Sequence, residues 1–236
     1  MPEAQRTPAA PLLDYVLNEL GREIISGTLP PGKTFTLHDL SDRFNISRTV
    51  AREAMRALEQ LGLVSSSRRV GITVRPSSSW AVFDQAVINW RLGSPTQRRA
   101  QLLSLNELRT GIEPQASRLA AGAASSQQRN ELVELATTMR ELSRSGRASS
   151  QSFLEVDLRF HALLMEASGN EMFAALIPPL LCVLEARSRY DHLPVSPGDR
   201  AVATHEDLAA AIASGDIAAA ENYSRALLTE GEHSDR

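Results

Sequence analysis

The chain has little of what would place it in a disulfide-rich, membrane or aromatic-rich class. Of its 236 residues one is cysteine and 5% are aromatic. A lone Cys182 excludes an internal disulfide and is compatible with a reducing cytoplasm. It lies in an apolar stretch and reads as a packing residue. The longest apolar stretch, residues 172–184, is interrupted by Pro178-Pro179 and falls short of the roughly 20 residues a membrane helix needs. The first eleven residues contain Pro2, Pro8 and Pro11 and no apolar run, so 1–10 read as a disordered lead and not as a secretion signal. There is no Gly-rich phosphate loop, nucleophile elbow, cysteine cluster or internal repeat, and Ser168-Gly169-Asn170 reads as a helix-end turn.

Net charge is −3, an unpromising value for a nucleic-acid partner until it is divided along the chain. Residues 1–79 hold 10 Lys+Arg against 8 Asp+Glu, and residues 80–236 hold 15 against 20, so the halves carry +2 and −5. Within 41–79 the count is 7 against 3. Positive charge is therefore concentrated in one short stretch.

That stretch contains Ile46-Ser47-Arg48-Thr49-Val50-Ala51-Arg52-Glu53-Ala54-Met55-Arg56. A helix capped by Ser47 puts Arg48, Arg52 and Arg56 along one edge, four residues apart. Like charges at that spacing weaken an isolated helix by about 0.2–0.5 kcal/mol per pair, and Glu53 and Glu59 relieve part of this. A polyanionic partner explains the arrangement better than a solvated basic face. Arg48 and Thr49 fall in the first turn, where free backbone N–H groups favour phosphate. The opposite face, Val50, Ala54, Leu58 and Leu61, is apolar.

The surroundings complete a motif. Residues 12–26 read as an amphipathic helix ending at Gly27, and Leu29-Pro30-Pro31-Gly32 as a turn. Thr36-Leu37-His38-Asp39 is a capping box with Asp in place of Glu, opening a short helix through Leu40 and Phe44. Asn45-Ile46 turns into the arginine helix, which stops at Gly62. Leu63-Val64 and Ile72-Thr73-Val74 then flank a ribbon tip containing Arg68 and Arg69. Helix, helix, turn, helix and basic hairpin form a winged helix-turn-helix over 11–76, with the second helix of the pair aimed at a DNA major groove.

Ile25-Ser26-Gly27, Pro31-Gly32, Leu40-Ser41, Ile46-Ser47-Arg48-Thr49, Arg52-Glu53-Ala54, Leu58-Glu59 and Leu61-Gly62-Leu63-Val64 together resemble the GntR family of bacterial regulators. The resemblance implies DNA contacts from Thr36, His38, Ser47, Arg48, Thr49, Arg52, Arg56, Arg68 and Arg69. The sequence departs from the family's pattern at Leu37, where Glu is common, and at Val50, where Pro is common. His38 stands where some members have arginine.

Pro76-Ser77-Ser78-Ser79 begins a linker and connecting helix over 77–94, with Trp80, Phe83, Val87 and Trp90 as a helical stripe. From 95 to 233 the punctuation by Gly, Ser, Pro and Asp separates helical segments near 97–123, 127–144, 149–168, 170–190, 198–214 and 216–231. The fold class is mostly α: the winged domain plus an all-α bundle of six or seven helices.

Polar residues interrupt the bundle's apolar stripes. Asp157 and His161 share a helix face with Phe153 and Leu164, His205 with Leu208 and Ile212, and Arg109 borders Leu105 and Ile112. A carboxylate among apolar residues needs a partner. Two readings stay open: Asp157, His161 and His205 around a divalent cation such as zinc, nickel or manganese, with Arg109 holding a carboxylate ligand; or a hydrogen-bonded core trio with Arg109 in an internal salt bridge.

Glu107-Leu108-Arg109 with Glu113-Pro114, Asp157-Leu158-Arg159-Phe160-His161, Ser168-Gly169-Asn170, and His205 with Ala211-Ile212 and Gly215-Asp216 resemble the ligand domain of the FadR subgroup. This implies an Asp and three His around a metal and a small carboxylate effector. The third histidine falls at Leu227, which leaves three donors and an open side. Tyr223, one turn earlier, is placed to fill part of that vacancy with its hydroxyl. The segment from Trp80 to Trp90 resembles regulators of sugar-acid catabolism of the galactonate type, so a hexonate is the expected effector, with Arg187, Arg189 and Tyr190 as further contacts. The whole reads as a cytoplasmic homodimeric regulator, most simply a repressor, on a near-palindromic operator. The rival is a metal-dependent enzyme acting on a small hydroxy acid, against which no well-placed second carboxylate is found to act as base.

Overall fold

The computed structural model describes residues 9–189 and 199–233, and the chain divides into two compact units, 1–101 and 102–236. Most of the expected lead, together with Tyr190 and the side chains of Arg187 and Arg189, lies outside what is described. The lead's last two residues are helical, because α1 spans Ala9–Ser26. Pro11 sits in its first turn, where a missing N–H costs nothing.

In the first unit α1 is followed by β1 (Thr34–Phe35), α2 (Leu37–Phe44), α3 (Arg48–Gln60), β2 (Val64–Ser67), β3 (Gly71–Val74) and α4 (Gln85–Gly93). Thr36 caps α2 through the expected box: its hydroxyl accepts from the Asp39 N–H at 3.1 Å, and Asp39 accepts from the Thr36 N–H at 2.7 Å. Asn45 ends α2 with φ of 50°, a conformation asparagine tolerates. The wing has three strands, not two. β1 pairs antiparallel with β3 (Thr34 opposite Thr73, Phe35 opposite Ile72), giving the order β1-β3-β2. A two-residue strand carries no periodicity, so the sequence could not announce it.

The core of this unit joins Val16, Leu20 and Ile24 of α1 to Ala51, Ala54 and Leu58 of α3. The buried face of α3 is centred on Ala51, Ala54, Met55 and Leu58, whereas the expected Val50 and Leu61 are half-buried at its margin. The connecting segment also differs from expectation. Asp84 caps α4, so Trp80 and Phe83 precede the helix instead of lying on it, and Phe83 is exposed. Trp90 is buried in the first unit's core, where its indole N–H donates to Asn18 Oδ1 at 2.8 Å. Gly21 makes room for that ring: a Cβ there would lie 2.6 Å from three of its atoms.

The second unit contains α5 (Arg98–Ala123), α6 (Ser126–Arg144), α7 (Gln151–Ala167), α8 (Glu171–Ala175), α9 (Ile177–Arg189), α10 (Asp199–Ser214) and α11 (Ile217–His233). The segment expected as one helix over 170–190 breaks at Leu176. Pro178 and Pro179 cannot donate within a continuous helix but fit the first turn of a new one. Leu132, Met139, Phe160, Leu163, Leu208 and Ile212 anchor the core of α6, α7 and α10. No helix among the described residues is long and apolar enough to cross a membrane.

Candidate functional site

In the first unit six of the nine side chains expected to meet DNA lie on the solvent-facing side of α3 and at the wing tip. Arg48, Thr49, Arg52, Arg56, Arg68 and Arg69 are all exposed. Ser47 caps α3 by accepting from the Val50 N–H at 3.3 Å. Arg56 pairs with Glu53 at 3.0 Å, whereas Arg48 and Arg52 have no ion-pair partner among the described residues. Exposed, uncompensated guanidinium groups beside a helix N-terminus form a surface suited to phosphate. Thr36 and His38 sit at the start of α2. The Thr36 hydroxyl is committed to its cap, and the exposed His38 lies 3.4 Å from Asp42. Glu59, expected to offset the arginines, instead accepts from the Ser66 N–H at 2.6 Å and ties the wing to α3.

In the second unit α7 and α10 bring Asp157, His161 and His205 together, with one donor atom of each within 4.8 Å of the others. Asp157 Oδ1 lies 3.2 Å from His205 Nε2 and 3.5 Å from His161 Nε2. The outer nitrogens of both rings are engaged. His205 Nδ1 faces the Ala201 carbonyl oxygen at 2.8 Å and His161 Nδ1 faces Glu113 Oε2 at 2.9 Å. Both partners can only accept, so each Nδ1 carries a hydrogen, and each Nε2 is turned towards Asp157. Asp157 Oδ1 and His205 Nε2 are buried and complete no hydrogen bond. Acceptors crowded in this way call for a cation between them. A carboxylate and two imidazoles with their second nitrogens held by acceptors make a donor set that fits a divalent transition metal.

Arg109 and Glu113, 4% and 3% exposed, complete the surroundings from α5. Glu113 takes the Arg109 Nε through Oε1, and Arg109 Nη2 lies 3.4 Å from Oε2. Burial by itself would raise the Glu113 pKa, but the Arg109 and His161 charges outweigh it and hold the group at about 2. Burial works against charge on His161 as well; Glu113 and Asp157 overcome it and push the ring up to about 9. Desolvation would raise the half-buried Asp157 too, but its two histidines hold it far below the usual carboxylate range. The second carboxylate not found from the sequence is therefore present as Glu113. Bound by two cations, it has no basicity to offer a reaction.

Leu227 is buried in the second unit's core, so an apolar side chain fills the position of the expected third histidine. Tyr223 is 36% exposed and makes no hydrogen bond to Asp157, His161 or His205 among the described residues.

Residues 13–74 match the family model described as bacterial regulatory proteins, gntR family, and residues 104–230 match the FCD domain. The chain belongs to the GntR family. Within it, the chain is 32% identical over 169 residues to the uncharacterized HTH-type transcriptional regulator YieP of Escherichia coli K12, covering 71% of this chain and 72% of that one. It is 27% identical to the galactonate operon transcriptional repressor of the same organism, over 69% of each. The fold is also that of a solved Streptococcus agalactiae GntR protein, with a TM-score of 0.53 at 19% identity over 94% of this chain and 99% of that one. This GntR-family chain is a DNA-binding transcriptional regulator with an FCD domain. In this regulator sequence reasoning missed the Glu113 contact to His161, the Glu59 contact to the wing and the Arg129 brace. Arg129 donates to the carbonyls of Ala121, Ala124, Ile212 and Ala213, satisfying the C-terminal ends of α5 and α10. An i, i+4 spacing joins Arg109 to Glu113 and was the one available signal for the first of these.

Proposed function

We propose that this regulator is a cytoplasmic homodimeric repressor, released from a near-palindromic operator when a small carboxylate binds beside a divalent cation in its helical domain. In this reading 11–76 is the DNA-binding domain, 77–94 connects, and 95–233 binds effector and dimerises. The pair of unpartnered acceptors, Asp157 Oδ1 and His205 Nε2, beside buried Arg109 carries the proposal. Asp157, His161 and His205 would hold zinc, nickel or manganese, which supplies a Lewis-acidic point for effector oxygens.

Charge balance selects the effector class. Arg109 and Glu113 cancel, Asp157 contributes one negative charge, and neutral histidines contribute none. A divalent cation then leaves one positive charge in a dry site, which a monocarboxylate neutralises. Arg109 is suited to hold that carboxylate. Similarity to a galactonate operon repressor favours a hexonate or related hydroxy acid. Two exposed arginine edges related by a two-fold axis match a near-palindrome. Release follows if the effector binds the free arrangement more tightly than the DNA-bound one.

A thermal-shift screen of sugar acids, with and without added divalent metal, tests this. A ligand at 100 times its dissociation constant stabilises by roughly 2.7 kcal/mol. The expected hit is a hydroxy acid whose shift requires metal and which releases operator DNA without being consumed. Arg109→Ala should remove that shift. A metal-independent shift, or one that survives Arg109→Ala, overturns the proposed site.

A further inference from the structure

The proposed function needs a cation site and a carboxylate site, and one side chain that belongs to neither touches both. Glu113 accepts from Arg109 through Oε1 and faces His161 Nδ1 through Oε2 at 2.9 Å. It lies immediately before Pro114 on α5, a different helix from the one that carries His161. An imidazole offers Nε2 to a cation only while its hydrogen is on Nδ1, and that requires an acceptor at Nδ1. For His205 the acceptor is the Ala201 backbone carbonyl, which exchange of a side chain leaves in place. For His161 it is the Glu113 carboxylate. The other oxygen of that carboxylate fixes the Arg109 guanidinium.

We infer that Glu113 is a positioning residue that locks His161 in its Nε2-donor tautomer and orients Arg109, so that one carboxylate builds both halves of the effector site. This rests on the metal-and-carboxylate reading, in that the locked tautomer matters because a cation is to be held. A glutamine in its place has one acceptor and one donor end. It can accept from Arg109 or from His161, and satisfying Arg109 turns its N–H₂ towards Nδ1. That pairing moves the imidazole hydrogen to Nε2 and removes a ligand.

Cobalt(II) titration of the full-length protein, read by its visible absorption, is compared for wild type and Glu113→Gln. Side-chain ¹⁵N spectra of both metal-free proteins are recorded in alkaline buffer, where the ring is neutral. The expected results are a cobalt affinity lowered about 10- to 100-fold in the variant, and a His161 hydrogen on Nδ1 in wild type that moves to Nε2 in the variant. Affinity within twofold of wild type overturns the inference. So does a wild-type spectrum with the His161 hydrogen on Nε2, a readout that stands even if the variant fails to fold. If wild type takes up no cobalt, the metal reading fails, while the spectra still decide whether Glu113 sets the tautomer.

Discussion

At the scale of single residues, the two sites use charge in opposite ways. Arg48 and Arg52 are exposed cations without ion-pair partners among the described residues, so the phosphate contacts expected of them would be screened by salt. Arg52→Ala should weaken operator binding similarly for all sequences and lower the slope of log affinity against log salt by about 1, measured by fluorescence anisotropy. An unchanged slope would remove Arg52 from the phosphate contacts. In the Asp157 trio both histidines are buried and the aspartate half-buried, and its charges are compensated locally. His161 is pushed up to about 9, above its ordinary value, so at neutral pH its Nε2 carries a hydrogen where the proposed metal would bind. Metal loading would displace that proton. Metal affinity should therefore rise by about tenfold per pH unit from mildly acidic solution up to about pH 9 and level off above it, as competition with a chelator would show. A flat profile across neutrality would mean that His161 is not a ligand.

At the scale of elements, the stops and braces set the geometry. Gly62 ends α3 with φ of 73°, and a Cβ there would come 2.0 Å from the Ser79 carbonyl oxygen. Both the left-handed backbone and the close approach exclude a side chain. Gly62→Ala should cost about 2 kcal/mol or more, seen as a lower urea midpoint for the first unit. Arg129 answers the same need in the second unit from the opposite direction, since a side chain satisfies carbonyls that α5 and α10 leave open. Arg129→Met keeps much of the stem but removes four donated contacts, and should lower stability by about 2 kcal/mol in thermal melts without altering metal uptake. Glu59 performs a similar task in the wing, and Glu59→Ala should speed hydrogen exchange at the Ser66 amide.

At the scale of the molecule, the split of charge matches the split of labour. The first 79 residues carry +2 and the remainder −5, so the acidic part adds no general affinity for DNA and the response must come through linkage between effector and operator. Effector should weaken operator binding by the same factor by which operator DNA weakens effector binding, measured by calorimetry in both directions. Unequal factors would show that the two ligands do not share one equilibrium. The sequence by itself determined the winged helix-turn-helix, the arginine edge, the caps at Thr36 and Ser47, and the shared helix face of Asp157 and His161. Each is local and written in spacings of three or four residues. Only the tertiary structure decided that Glu113 from α5 meets His161 from α7, that Trp90 packs over Gly21, that Arg129 closes two helix ends, and that Leu227 lies buried in the core. Those contacts join residues that are distant along the chain, where helical periodicity says which face is buried but not which neighbour it meets.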